Sequence, residues 1–390
     1  MRRFIQVVAC LVALLMLLSG KVFAFENNLA SESEGPPVEI AAKAALLMDA
    51  STGHVLIQYN EHERLYPASV TKVMTLLMVA EALESGKIAL DEEIAASGAA
   101  ASKGGSQVWL KEGEAMTVEE LLKAVAIYSA NDASVALAEA VAGSEEGFVK
   151  MMNDRAAELG MKNTAFYNCT GLDDTDLEHL TTAYDIALMS RELLKHESIT
   201  VYSTIWMDSL RGGETELVNT NRLVRFYEGA TGLKTGTTSK AGCCIAASAK
   251  RGETHLIAVV LGSGNSNDRF ETAKRMLNWG FANYSTVMPR VDPALITPVR
   301  VLQGAEQWIQ PVPPDAMPIL VPKGCEGELQ QSVELATDVQ APVEAGQALG
   351  RVLIMLEDEI LGEYPLISPV SVPAATFIMT LRRLIAALAS

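Results

Sequence analysis

The spacing of apolar residues changes several times along this 390-residue chain, and each change marks a different kind of element. The chain starts with an unbroken apolar run from Phe4 to Leu18, led by Arg2 and Arg3 and followed by the small-x-small pattern Val22-Phe23-Ala24. About 15 residues is short for a membrane span, so this reads as a secretion signal over residues 1–24. Residues 25–38 are polar and acidic, contain Pro36-Pro37, and predict a flexible leader. Two apolar-rich runs, 44–49 and 54–59, are joined by Ala50-Ser51-Thr52-Gly53 and predict a hairpin. A period near 3.6 then takes over. In 69–85 the apolar positions 73, 76, 77, 80 and 83 fall on one face, with Pro67 just before and Gly86 just after. Ser69 therefore starts a helix. Further helices are predicted over 117–128, 134–142, 148–159 and 182–196, with a break at Ser129-Ala130-Asn131-Asp132.

Beyond Gly229 the pattern returns to strands, at 232–237, 244–249 and 255–261, the last two turned by Arg251-Gly252. A helix over 268–283 follows. Strand-rich ends around a helical middle predict an α+β domain over 39–285, an antiparallel sheet with helices packed on it. From about Thr286 prolines become frequent and short apolar runs (299–302, 319–321, 349–355, 359–365) predict a small all-β domain over 286–372. Its segment Ala341-Pro342-Val343-Glu344-Ala345-Gly346-Gln347 resembles the turn of a biotinyl or lipoyl carrier but has no lysine to modify, so it reads as a tight turn. Residues 373–390 predict a helix with Phe377, Leu381, Leu384, Ile385 and Leu388 on one face and Arg382 and Arg383 beside it. Such a helix can lie in a membrane interface.

Composition narrows the function classes. With 48 acidic against 31 basic residues the net charge is −17, which disfavours nucleic acid as a partner. Cys10 falls within the signal. Cys169, Cys243, Cys244 and Cys325 remain, and a chain of this size does not need them as cross-links. They are expected to be small, buried and unpaired. No spacing suits a metal, and no cofactor is called for.

Three short words carry the chemistry: Ser69-Val70-Thr71-Lys72, Ser129-Ala130-Asn131 and Lys234-Thr235-Gly236. Singly they are weak. Ser-x-x-Lys is expected about once by chance in a chain of this length, and Ser263-Gly264-Asn265 also fits Ser-x-Asn, although it reads as a turn. In this order they supply the parts of one acyl-transfer site. Ser and Lys three apart on a helix share a face, so the amine can act as base to the hydroxyl if burial lowers its pKa. The helix start offers N–H groups to an oxyanion. Ser129 can relay a proton, and Asn131 can hold Lys72 and bind a substrate amide. Lys234 and Thr235 can bind a carboxylate, and Gly236 lets a backbone approach closely.

The chain resembles the low-molecular-mass penicillin-binding proteins, specifically the serine D-alanyl-D-alanine carboxypeptidases of peptidase family S11. The likeness extends to Tyr66-Pro67-Ala68, Asp132-Ala133, Leu159-Gly160-Met161-Lys162-Asn163-Thr164, Asn219-Thr220-Asn221-Arg222-Leu223 and Thr237-Thr238. It implies a β-lactamase/transpeptidase-like domain followed by a β domain. It also implies Ser69 as nucleophile, Lys72 as general base, Ser129 as proton relay, and backbone N–H groups of Ser69 and Thr237 as the oxyanion hole. Lys234 and Thr235, helped by Arg269, would grip the substrate carboxylate. The implied substrates are peptidoglycan stem peptides, with β-lactams as inhibitors, at the outer face of the cytoplasmic membrane or in the cell wall. Two departures from the family pattern stand out: Thr231 stands where an aspartate is usual, and Cys243 and Cys244 where an aromatic or polar residue is common. A serine β-lactamase is the nearest alternative, but no Glu-x-x-Leu-Asn word lies between Asn131 and Lys234. A scaffold with a dead site would have lost the nucleophile or the lysine. Endopeptidase or transpeptidase side activity stays open, because cleft shape decides it.

Overall fold

The computed structural model describes residues 35–173 and 178–389. The expected signal peptide and most of the expected leader lie outside the described residues. The catalytic sheet grows from strict alternation. In β1 (Ala44–Asp49), Ala44, Leu46 and Met48 enter one core while Ala45 and Leu47 enter another, as a strand with helices on both faces must. β1 forms the expected hairpin with β2 (Val55–Tyr59). The sheet is completed by β3 (Ala230–Thr238), β4 (Gly242–Arg251) and β5 (Thr254–Ser263). Its order is β2-β1-β5-β4-β3, with every neighbouring pair antiparallel. The strand that carries Lys234-Thr235-Gly236 is therefore at an edge of the sheet.

On one side of the sheet lies the helical lobe, whose labelled helices are α1 (Lys72–Glu84), α2 (Asn131–Ala142), α3 (Glu145–Glu158) and α4 (Ala183–Leu193). α1 is buried without interruption from Lys72 to Ala80, the expected fate of a helix that is apolar all round. On the other side, α5 (Ser266–Asn283) packs through Phe270, Ala273, Met276, Leu277 and Phe281, a three-and-four spacing that makes one stripe. The alternative Ser-x-Asn word does form a turn: Asn265 caps α5, its side chain accepting from the Asp268 N–H at 3.0 Å.

Two local expectations need correction. Ser69 lies in a 3-10 turn, Ala68–Thr71, and α-helical geometry begins only at Lys72. Ala68 takes a φ of 50°, so a regular helix cannot start through it. The second break is shorter than expected. A π-helical turn, Ala124–Tyr128, ends at Ser129 in the left-handed region, and α2 restarts at Asn131. Asp132 thus belongs to the first helical turn, where a carboxylate is favoured. The short strand pairs 93–95 with 115–117 and 207–210 with 215–218 have too few residues to leave a period in the sequence.

The small domain is all-β as expected. Leu329–Leu335, Ala348–Leu356 and Glu359–Ile367 form an antiparallel sheet. Val299–Leu302 pairs with Trp308–Ile309 and, in parallel, with Asp338–Gln340. The junction is fastened by Thr286, which donates its hydroxyl to Asp49 Oδ2 at 2.8 Å and its N–H to Thr254 Oγ1 at 2.8 Å. The four described cysteines are free; Cys169, Cys243 and Cys244 are buried as expected, but Cys325 is only half-buried. The terminal helix, α6 (Phe377–Ala389), starts later than expected because Pro373 and Ala375 instead pair as extended chain with Ala305 and Gln303. Among the described residues no helix is long and apolar enough to cross a membrane.

Gly171 shows how tightly the lobe closes on the Ser69 turn. It has a φ of 79°, and a Cβ there would lie 1.9 Å from the Ala68 carbonyl oxygen and 2.7 Å from Thr71 Oγ1. Gly171→Ala is expected to lower the unfolding free energy by about 3 kcal/mol, read as a shift of the urea midpoint at unchanged slope. A midpoint within error of the parent would show that this contact does not shape the turn.

Candidate active site

Lys72 is the centre of the site. It is fully buried, and its Nζ has three oxygen neighbours: Ser69 Oγ at 3.1 Å, Asn131 Oδ1 at 2.6 Å and the Thr170 carbonyl at 2.8 Å. Burial pushes its pKa down from 10.5 to about 7, against the opposing pull of Cys169 and Asp132. A neutral amine has two N–H donors and one lone pair. Asn131 and Thr170 can take the donors, which leaves the lone pair facing the Ser69 hydroxyl. Ser69 itself is only half-buried, so its oxygen is within reach of a ligand.

The second word comes to the same place through α2. The Asn131 side chain bridges two elements, accepting from Lys72 and donating Nδ2 to the Gly104 carbonyl at 2.7 Å. Its own N–H donates to the Ser106 carbonyl at 2.7 Å. Ser129 is 4% exposed, and its hydroxyl is buried with no hydrogen-bond partner among the described residues. A polar group left unpaired in a dry site is costly, so a hydroxyl in that state is set up to bond something that enters.

The third word closes the cleft. A Cβ on Gly236 would lie 2.8 Å from both the Pro67 carbonyl oxygen and the Ser69 backbone nitrogen. The close approach that Gly236 permits is thus made by the protein's own nucleophile turn, which sets β3 directly against Ser69. Lys234 is buried and bonds only weakly, to the Thr235 carbonyl at 3.2 Å. Its pKa lies well below the usual lysine value because of burial and the nearby Lys72 and Arg269. Thr235 Oγ1 donates to Thr220 Oγ1 at 2.8 Å. Arg269 Nη1 donates to the Gly236 carbonyl at 2.8 Å and to Thr237 Oγ1 at 2.9 Å, and its buried Nε has no partner among the described residues. Thr231 makes its own network with Ser248 Oγ at 2.7 Å and His255 Nε2 at 2.9 Å. Burial pushes that histidine down to about 4, so it is neutral at pH 7.

The structure therefore joins Ser69, Lys72 and Asn131 in direct contact, and likewise Gly236, Thr237 and Arg269, with Ser129 on the turn into α2. Three contributors went unrecognised in the sequence. The Thr170 carbonyl leaves no side-chain signature. The Thr220 hydroxyl backs Thr235. Asp132 is buried and accepts the N–H groups of Val108 and Leu110 at 3.0–3.2 Å; its place directly after Asn131 was the available clue. The arrangement defines a class of protein: an acyl-transfer enzyme with a serine nucleophile, a lysine base and a cationic pocket beside them.

Comparison with known proteins gives the family. The D-alanyl-D-alanine carboxypeptidase family of S11 peptidases matches residues 30–265, and the C-terminal domain of penicillin-binding protein 5 matches residues 284–374. The chain belongs to this family. It is 43% identical over 346 residues to D-alanyl-D-alanine carboxypeptidase DacF of Bacillus subtilis, covering 88% of each chain. Penicillin-binding protein 5 from Haemophilus influenzae superposes with a TM-score of 0.76 at 30% identity, over 86% of this chain and 99% of that one. Penicillin-binding protein D2 from Listeria monocytogenes in its ampicillin-bound form superposes with a TM-score of 0.58 at 29% identity, over 63% of this chain and 99% of that one.

The lowered Lys72 pKa sets a sign for pH dependence. Only the free amine can accept the Ser69 proton, so acylation by a fluorescent penicillin should rise about tenfold per pH unit below about 7 and level off above it. Asn131→Asp places a carboxylate against Nζ and favours the ammonium, which should move that midpoint up by about one to two units. A midpoint that stays put in this variant would remove Lys72 from the titration.

Proposed function

We propose that this chain is a serine D-alanyl-D-alanine carboxypeptidase acting on peptidoglycan stem peptides. The observation that carries this reading is a buried amine, half deprotonated at pH about 7, lying 3.1 Å from a serine hydroxyl that faces the edge strand bearing Lys234 and Thr235. Ser69 Oγ attacks the carbonyl carbon between the two terminal D-alanines as its proton passes to Lys72. The backbone N–H groups of Ser69 and Thr237 receive the oxyanion. The C–N bond then breaks, Ser129 gives its proton to the departing amine and is re-protonated by Lys72, and D-alanine leaves with the lysine free again. Water repeats the sequence on the ester, with Lys72 again taking the proton, and releases the shortened peptide. Lys234, Thr235 and Arg269 hold the terminal carboxylate, and the incoming anion restores charge to a lysine that burial had made reluctant to carry it.

β-Lactams carry a reactive amide beside a carboxylate and should acylate Ser69. The ampicillin-bound relative supports this, and with no Glu-x-x-Leu-Asn word their release should be slow. The expected signal peptide supports a location outside the cytoplasm, on the outer face of the membrane or in the wall. α6 supports peripheral attachment, because Phe377, Ile378, Leu384, Ile385 and Leu388 are all more than half exposed. Arg383 is not free to meet lipid headgroups, since Nη1 donates to the Gly304 carbonyl at 2.8 Å and Nη2 to that of Ala305. It pins the helix to the β domain while Arg382 stays exposed.

Mass analysis of a pentapeptide digest is expected to show loss of a single alanine; no loss, or cleavage elsewhere, would refute the activity. Ser69→Ala should abolish covalent penicillin labelling, and Lys72→Ala should fold but lose most turnover. Removing residues 377–390 should shift the protein from membrane to soluble fraction while turnover is kept. An unaltered partition would discard the anchor.

A further inference from the structure

Trp109 is 75% exposed, although Val108 and Leu110 on either side are buried. A single exposed aromatic needs no explanation. Its backbone does. Trp109 has a φ of 60°, a left-handed conformation that a bulky residue adopts only at a cost. The strain is held in place from several directions. The buried Asp132 carboxylate accepts the N–H groups of Val108 and Leu110. Arg211 Nη1 donates to the Val108 carbonyl at 3.0 Å and to Thr215 Oγ1 at 2.8 Å, while its Nε donates to Glu114 at 2.7 Å. Asp132 and Arg211 thus fix a three-residue stretch whose outer residues are buried and whose middle residue leaves its indole exposed.

The same loop is fastened to the catalytic centre. Gly104 and Ser106 bond the side chain and the N–H of Asn131, whose Oδ1 holds Lys72. Trp109 is three residues from Ser106, at most about 10 Å of chain. In the mechanism above the departing D-alanine is held by its carboxylate on the β3 side of Ser69. Asn131 and the loop it carries lie on the lobe side, where the acyl portion of the substrate must run.

We propose that Trp109 is a specificity-determining residue whose indole packs against the side chain of the substrate residue that precedes the D-alanine pair, favouring a long, largely methylene side chain there. This rests on the proposed carboxypeptidase activity and deepens it. An aromatic contact of this kind is worth about 0.5–1.5 kcal/mol, or about two- to tenfold in relative turnover.

The test compares kcat/KM on two substrates that differ only at that residue: diacetyl-L-lysyl-D-alanyl-D-alanine and acetyl-glycyl-D-alanyl-D-alanine. The wild type should prefer the first. In Trp109→Ala that preference should fall about two- to tenfold, mainly through KM, and Trp109→Phe should restore most of it. Trp308→Ala, which removes an exposed aromatic from the β domain, should leave the preference as it is. Trp109→Gly should lose the preference yet melt at or above the wild-type temperature, because glycine relieves the backbone strain. An unchanged preference in Trp109→Ala overturns the proposal. So does a lower melting temperature in Trp109→Gly with preference intact, which would make the indole structural. A loss seen only with disaccharide-linked peptides would assign the indole to the glycan and likewise overturn it. If the wild type cleaves neither substrate, the carboxypeptidase reading itself fails, which separates the two ideas.

Discussion

Everything in this site depends on keeping one amine out of water. A shift of Lys72 from 10.5 to about 7 corresponds to roughly 5 kcal/mol of preference for the neutral form. Two anionic or polarisable neighbours, Cys169 and Asp132, oppose it, yet burial wins. The protein keeps the neutral amine satisfied rather than stranded, since Asn131 Oδ1 and the Thr170 carbonyl accept from it. The all-round burial of α1 creates the dry environment. The left-handed Ala68 and the two glycine contacts bring the serine to the edge of that environment without sinking it. Ser69 and Lys72 thus sit one turn apart but in different surroundings, one accessible and one dry.

This division explains what could be read from the chain and what could not. The long apolar helix 72–84, the strand around Lys234 and the α5 stripe leave clear local signals, so the sheet-and-lobe architecture was legible. So were the catalytic words, because side-chain chemistry at fixed spacing is a local property. Three kinds of feature were not. Ser69 begins in a 3-10 turn because of contacts from Gly171 and Gly236, which are distant in sequence. Thr170 contributes a carbonyl, which any residue could supply. Trp109 owes its position to a buried aspartate and an arginine from a separate hairpin, neither of which marks the tryptophan locally.

Close packing of backbone on backbone ties these together. Gly171 meets Ala68 from the lobe, and Gly236 meets Pro67 and Ser69 from the sheet. The Ser69 turn is held between them like a wedge, with Thr71 Oγ1 on one side and Ala68 Cβ on the other joining the backbone contacts. Ala68 and Ser129 at the site, and Trp109 on the loop that bonds Asn131, adopt left-handed backbone. Such strain persists only where surrounding structure over-determines it. Here the over-determination has a visible source, in two glycine contacts, one buried aspartate and a π-helical turn.

Charge distribution completes the logic. The chain carries a net charge of −17, yet its cleft gathers Lys72, Lys234 and Arg269 with burial working against all three. Global charge governs solubility; the local cluster governs what binds. Lys72 works against a charge on Lys234, so the two amines compete for a proton. On the proposed mechanism a substrate carboxylate decides that competition. It draws the proton to Lys234, beside Thr235, and leaves Lys72 free beside Ser69. The terminal carboxylate of the substrate then does more than position the peptide: by favouring the charge on Lys234, it helps burial keep the base free when a cleavable end is in place.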